Sequence, residues 1–349
     1  MLSRIEKLLN NIGEGRAAFI SGGANIRYYS GFTSEDAFLI ISRDRRMLVT
    51  DSRYYVQARQ QSPEFDLVKL EDGWEKMFAS VPEDEIAFEE NIITCGFYDR
   101  LKKKAAKKSF IRMQKEIEAP RRNKDAGEIK LISEAEEIGS RAFMHIIEVL
   151  HAGMTERDVA LKLEYYMKKQ GATALSFDTI AASGVRSSMP HGVATDKVIE
   201  KGELLTLDFG CVYEGYCSDM TRTVVIGEPD AKQKEIYDIV LAAQNTAIDG
   251  LYQGMACSEA DELARRVIRD AGYGDSFGHS LGHSVGLEIH ESPNFSPKSR
   301  DELENGNVLS VEPGIYIDGW GGVRIEDLIA VVDGRIVDLT TAPKNLIRI

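Results

Sequence analysis

The chain has 349 residues, a length that suits two domains better than one. Hydrophobic residues make up 43% and charged residues 28%, the balance of an ordinary globular protein, which excludes a disordered or fibrous chain. There are 56 acidic against 43 basic residues, a formal charge of −13, and this argues against a nucleic-acid partner, which favours a basic face.

The cysteines Cys95, Cys211, Cys217 and Cys257 form no C-x-x-C pair and read as reduced thiols. The first residues, Met1 to Lys7, are amphipathic and charged, unlike a secretion signal. No apolar run reaches the roughly 18 residues of a membrane span. The expectation is a cytoplasmic protein without a membrane partner.

Leu2, Ile5, Leu8 and Leu9 have helical spacing. Short strand-like runs follow at 17–20, 37–41, 47–49, 67–70 and 86–88, with helices expected over 52–61 and 96–107. This alternation predicts a small α/β domain. Lys102, Lys103, Lys104, Lys107 and Lys108 read as a solvated helix face. The polar stretch holding Pro120 marks a boundary, so the expected organisation is a domain over 1–115, a linker over 116–125 and a second domain over 126–349.

The second part opens with a long helical pattern through Ile129, Ile132, Ala135, Ile138, Ala142 and Ile146. His145 and His151 lie on or just after it, with no ligand partner nearby in sequence. A helix over 156–169 stands behind Thr155 as N-cap. Helices also fit 231–249 and 258–270, and strands fit 204–209, 216–225, 308–317 and 323–331.

Chemistry gathers in this part. Asp208 sits deep in an apolar strand, and Glu214-Gly215 makes a two-residue turn after it. Pairing across that turn sets residue 208 opposite Thr221 and puts Asp219 on the face of Asp208. Two close carboxylates repel unless a cation lies between them. Glu312 and Glu326 repeat the theme in two further strands, although Arg324–Glu326 could also be a core ion pair. Of six histidines, His279, His283 and His290 fall within twelve positions among glycines. Two Asp, two Glu and an imidazole make a ligand set for two metal ions sharing carboxylates, and oxygen-rich donors without thiolate suit Mn²⁺, Co²⁺ or Zn²⁺.

Two decoys overlap this region. Gly282-His283-Ser284-Val285-Gly286 matches the G-x-S-x-G elbow of serine hydrolases, but no buried strand precedes it and no aspartate stands between Ser284 and the last histidine, His290. His279 and His283 have the spacing of a helical zinc motif, but the glycines oppose a helix.

The order Asp208, Asp219, His279-x-x-x-His283, His290, Glu312 in Val-Glu-Pro-Gly and Glu326 in Val-Arg-Ile-Glu-Asp resembles the pita-bread metallopeptidases, above all the Xaa-Pro aminopeptidases and prolidases. The stretches 25–32 and 50–54 are similar to the N-terminal domain of the same peptidases. The resemblance implies a small creatinase-like α/β domain, then a catalytic domain built on a curved antiparallel sheet. It implies metal ligation by Asp208, Asp219, His283, Glu312 and Glu326, with Asp219 and Glu326 bridging. It makes Glu312 a proton shuttle and His191 a substrate contact, with His279 and His290 as further active-site histidines. Tyr316 and Arg324 would orient ligands.

The implied reaction is hydrolysis of an Xaa-Pro bond, in dipeptides or at the N-terminus of short peptides, by a hydroxide held between two divalent ions, Mn²⁺ or Co²⁺ in the first place and Zn²⁺ as a further option. The family forms homodimers. The alternatives are a metal-free binding protein on the same fold and a dimetal peptidase without proline preference.

Overall fold

The computed structural model describes residues 3–349, so the expected share of Leu2 in the first helix lies outside the described residues. The chain divides into two compact units, Met1–Arg121 and Arg122–Ile349.

The first unit is a mixed six-stranded sheet in the order β4-β3-β2-β1-β5-β6. Its strands are β1 (Arg16–Ile20), β2 (Ala37–Ile41), β3 (Arg46–Thr50), β4 (Asp66–Lys69), β5 (Glu85–Phe88) and β6 (Ser109–Arg112). Its helices are α1 (Arg4–Ile12), α2 (Gly23–Ser30), α3 (Tyr55–Gln61), α4 (Trp74–Ala79), α5 (Cys95–Lys104) and α6 (Gln114–Glu118). The central strand β1 pairs parallel with β5 and antiparallel with β2, and buried on both faces it reads as a continuous apolar run. Phe19 anchors an aromatic cluster with Phe38, Trp74, Phe78 and Phe97.

The helix expected from residue 52 begins later, at Tyr55, because the Asp51 carboxylate accepts the Arg53 N–H at 3.0 Å and closes a turn instead. The helix expected to reach 107 ends at Lys104. Lys102, Lys103, Lys104 and Lys107 are exposed, while Lys108 donates to the carbonyls of Val81 and Glu83. The stretch read as a linker carries the end of α6 and a 3₁₀ turn, Ala119–Arg121.

In the second unit the helices are α7 (Ala126–Val149), α8 (Glu156–Lys169), α9 (Ala231–Gly250) and α10 (Cys257–Asp270). Capping boxes start three of them, at Asp125, Thr155 and Asp230. The strands are β7 (Ala174–Leu175), β8 (Ile180–Ser183), β9 (Leu204–Phe209), β10 (Cys211–Tyr213), β11 (Tyr216–Cys217), β12 (Met220–Val225), β13 (Gly282–Ser284), β14 (Glu291–Phe295), β15 (Val308–Val311), β16 (Gly314–Ile317), β17 (Gly321–Arg324), β18 (Asp327–Val332) and β19 (Arg335–Asp338). They form antiparallel sheets in the orders β12-β9-β8, β14-β13-β15-β18-β19, β11-β10-β7 and β16-β17.

Alternation along β9 sends Leu205, Leu207 and Phe209 into a core shared with α7 and α8, which leaves Asp208 on the opposite face. Glu214 and Gly215 both have positive φ, 46° and 82°, as a two-residue hairpin turn demands. The turn sets the expected register, with Thr221 opposite Asp208.

Three expected strands are interrupted. The 216–225 run breaks at Ser218-Asp219, the 308–317 run at Glu312-Pro313 and the 323–331 run at Ile325-Glu326. No helix among the described residues is long and apolar enough to cross a membrane.

Candidate active site

The strand breaks hold the chemistry. Asp219, Glu312 and Glu326 each stand where the chain has left its ladder, yet each keeps its backbone N–H paired. Asp219 N–H donates to Glu136 Oε2 at 3.1 Å, Glu312 N–H to the Leu281 carbonyl at 2.8 Å and Glu326 N–H to the Thr221 carbonyl at 3.1 Å. The side chains are thereby free to turn toward one point without an orphaned amide.

All ten residues singled out in the sequence line one cavity of about 690 Å³: His191, Asp208, Asp219, His279, His283, His290, Glu312, Tyr316, Arg324 and Glu326. His145, stacked on Tyr166 at 4.5 Å between ring centres, and the exposed His151 do not line it.

Ligand atoms of Asp219, His283 and Glu326 lie within 4.8 Å of one another. His283 Nδ1 faces the Ser284 carbonyl at 3.2 Å. A carbonyl only accepts, so Nδ1 carries the proton and the Nε2 lone pair is left over. That lone pair points at Asp219 Oδ2, 3.4 Å away, and at Glu312 Oε1, 3.6 Å away. Asp208 Oδ1 is buried with no hydrogen-bond partner. Electron-pair donors converging in this way fit divalent cations, and the guanidinium beside them, Arg324, balances only part of their charge.

The electrostatics agree. Burial raises the carboxyl pKa values of Asp219 and Glu326 well above the usual range, and repulsion from Asp208, Glu312 and each other adds to it. Burial likewise raises Asp208 and Glu312, against the pull of Arg324 on the former and chiefly of His283 on the latter.

A second set of residues braces the first. Arg324 Nη2 donates to Asp208 Oδ2 at 2.5 Å, Nε to Thr221 Oγ1 at 3.0 Å and Nη1 to the Tyr316 hydroxyl at 2.6 Å. The Thr221 hydroxyl in turn donates a hydrogen bond to Glu326 Oε2 at 2.7 Å. The ion pair considered for Arg324 and Glu326 is therefore replaced by Arg324–Asp208, because Thr221 comes between the first two. His279 is held below its ordinary range by burial, at about 4, and is neutral at pH 7. Its Nδ1 faces the Ser280 carbonyl at 2.8 Å, so Nε2 accepts from the Tyr316 hydroxyl at 3.0 Å. Both ring nitrogens are engaged within the protein.

The glycine-rich loop is pinned from α10. Asp261 Oδ1 accepts the Leu281 N–H at 2.9 Å, and Arg265, paired with Asp261, donates to the carbonyls of Phe277 and His279 at 2.9 and 2.7 Å. Ser284 is buried, accepts from Lys124 Nζ at 2.9 Å and donates to the Val308 carbonyl at 2.7 Å, which disposes of a serine nucleophile.

Sequence reasoning missed several contributors. Thr221, Ser310, Glu136 and Asp261 are ordinary polar residues whose roles arise from contacts distant in sequence. Only the four-residue spacing of Asp261 and Arg265 on a helix was a readable signal. Phe177, Ile180, Pro190 and Ile289 supply an apolar wall to the cavity.

Carboxylates and an imidazole converging in an open cleft define a metal-dependent hydrolase. Comparison with known proteins narrows the class. Residues 130–333 match the model of metallopeptidase family M24, and residues 2–122 match the creatinase/prolidase N-terminal domain. The chain belongs to metallopeptidase family M24, and its fold is the pita-bread fold preceded by the creatinase-type domain. It is 40% identical over 350 residues to the Xaa-Pro dipeptidase of Pyrococcus furiosus, covering 99% of this chain and 100% of that protein. Among solved structures it is similar to an Xaa-Pro dipeptidase from Bacillus anthracis, with 42% identity, 99% of each chain covered and a TM-score of 0.96. An X-Pro aminopeptidase from Thermotoga maritima is 40% identical with a TM-score of 0.93, covering 99% of this chain and 100% of that one.

Proposed function

We propose that this protein is a dimetal exopeptidase that hydrolyses the bond between an N-terminal residue and proline, in dipeptides or at the start of short peptides. The observation that carries this reading is the convergence of Asp219, His283 and Glu326 in a cavity that also holds Asp208 and Glu312. The names of the relatives support the proline preference, and so does the apolar wall, which suits a ring that has no N–H to satisfy.

Asp208, Asp219, His283, Glu312 and Glu326 would hold the ions, with Asp219 and Glu326 shared between them. When bound, two divalent ions supply a deprotonated water at neutral pH and polarise the scissile carbonyl. Glu312, oriented by the Ser310 hydroxyl at 3.2 Å, takes the water's proton and delivers it to the proline nitrogen as the C–N bond breaks. His191 and His290 line the same cavity and would donate to the carbonyl oxygen as charge develops on it. Arg324 and Tyr316 keep Asp208 in place, and His279 acts through Tyr316.

Oxygen donors with one imidazole suit Mn²⁺ or Co²⁺, and Zn²⁺ as well. The reading confines the chemistry to 126–349, after a linker at 116–125, and leaves 1–115 as a separate domain. A homodimer in the cytoplasm completes it, the compartment resting on four free thiols.

The test is hydrolysis of Gly-Pro and of a longer Xaa-Pro-Xaa peptide by chelator-stripped protein, with and without added Mn²⁺ or Co²⁺. Metal-dependent cleavage of Gly-Pro is expected. Cleavage of only the longer peptide would make the protein an aminopeptidase, and cleavage of neither would remove the proline assignment.

A further inference from the structure

Glu156 is the first residue of α8, and its side chain is fully buried. It does not cap its own helix, since Thr155 does that. Its carboxylate instead gathers donors from a single loop. Oε1 accepts the Ser183 N–H at 2.8 Å and the Ser183 hydroxyl at 3.0 Å. Oε2 accepts the Thr195 N–H at 3.1 Å and the Thr195 hydroxyl at 2.7 Å, and pairs with the Arg186 guanidinium. Arg186 in turn donates to the Val193 carbonyl at 2.9 Å.

Ser183 and Thr195 are the two feet of the loop that carries His191. Ser183 ends β8, the strand paired with β9 and its Asp208, so one carboxylate ties both feet to the sheet that bears a metal ligand. The loop's middle is held from the other side, where the Gly322 N–H donates to Ser187 Oγ at 2.8 Å and Arg324 Nη2 to the Pro190 carbonyl at 3.3 Å. Among the described residues the His191 ring has no hydrogen-bond partner, so its aim depends on how its backbone is held. A Cβ on the adjacent Gly192 would come within 3.0 Å of Ala182 Cβ, a sign of how closely the loop is drawn onto β8.

We infer that Glu156 is a positioning residue for His191: its buried carboxylate fixes both ends of the 183–195 loop and so sets where the imidazole meets the substrate. The inference rests on the reading of His191 as a substrate contact. A neutral amide at this position cannot replace the carboxylate, because its NH₂ would face donors from Ser183, Thr195 or Arg186. A displacement of the imidazole by even about 1 Å is enough to lower turnover by ten- to a hundredfold.

The experiment is a double-mutant cycle of Glu156→Gln and His191→Ala in the metal-loaded enzyme, reading kcat/KM on an Xaa-Pro peptide, Mn²⁺ affinity by calorimetry and Tm. Glu156→Gln is expected to lower kcat/KM by about tenfold or more. On the His191→Ala background it should lower kcat/KM no further, while its Tm decrease persists and Mn²⁺ affinity stays unchanged throughout. A full additional loss on that background overturns the inference and makes Glu156 a structural residue only. An inert His191→Ala removes the reading of His191, and the inference with it. If Glu156→Gln does not fold, Arg186→Met, which removes the ion pair with Glu156 and the arm to the Val193 carbonyl but leaves the bonds from Ser183 and Thr195 to the carboxylate, takes its place in the same cycle with the same expected and overturning outcomes.

Discussion

The two units treat their strands in opposite ways. In the first, β1, β2 and β3 are uninterrupted strands whose backbone groups pair along their length, and the buried carboxylate of Glu89 lies just past the end of β5, where the N–H groups of Ser21 and Gly22 and the Asn25 amide donate to it. In the second, three strands are broken, and each break is the position of a carboxylate. A regular ladder fixes side chains alternately up and down, so it can stabilise a core but cannot aim residues from several strands at one point. A break releases that constraint at the cost of an unpaired amide. Here Glu136, Leu281 and Thr221 supply the missing acceptors from elsewhere in the unit. The difference teaches that stability and chemistry are separable in this chain: substitutions in the first sheet should act on folding and those at the breaks on activity.

The largest expected effect is Asp219→Asn. Loss of this proposed shared ligand should remove at least one bound ion per chain and lower kcat by on the order of a thousandfold, measured by elemental analysis and peptide assay. The apo protein is expected to respond in the opposite direction, with a higher Tm under chelator, because one of four mutually repelling carboxylates is gone.

The same repulsion sets a pH dependence. Folded-state pKa values of Asp208, Asp219, Glu312 and Glu326 are raised, so the folded state binds protons more tightly than the unfolded chain. Their contribution to stability is present below about pH 4 and is lost as pH rises through the raised values. Melting in chelator should show this falling component above about pH 4, and saturating Mn²⁺ should abolish it; identical profiles with and without metal would count against the cluster as a metal site.

Arg324→Lys comes next. A lysine cannot hold Asp208, Thr221 and Tyr316 at once, and a loss of about ten- to a hundredfold in metal affinity or activity is expected. Ser284→Ala should leave kcat/KM unchanged while costing about 1–3 kcal/mol of stability, since Lys124 and the Val308 carbonyl each lose a buried partner. A large loss of activity would revive the serine-hydrolase reading. The smallest effect is Ile86→Val in the first sheet, about 0.5–1.5 kcal/mol by denaturant melting with activity intact. Altered kinetics in that variant would break the separation drawn between the two units.

Local signals in the sequence carried much of the architecture. A 3.6-residue stripe placed α7, capping at Thr155 placed α8 over 156–169, and an apolar run placed β9 over 204–209. The turn at Glu214-Gly215 transmits register along the hairpin, which puts Thr221 opposite Asp208. Elements without such signals were missed, among them α2, whose helix begins at a glycine with no side-chain cap, and α4.

What the sequence by itself determined was an inventory: the main helices and strands of both units and the cluster of buried-looking carboxylates and histidines, with His191, Tyr316 and Arg324 added by the family resemblance. Residue types and periodicity are local properties, and a chain states them directly. Only the tertiary structure decided how those side chains are used. It interrupted the strands at Asp219, Glu312 and Glu326, gave Arg324 to Asp208 rather than Glu326, closed both nitrogens of His279 and drew Glu136, Asp261 and Glu156 in as supports. Each of these depends on hydrogen bonds between residues far apart in sequence, and pattern alone does not say which buried polar group finds which partner.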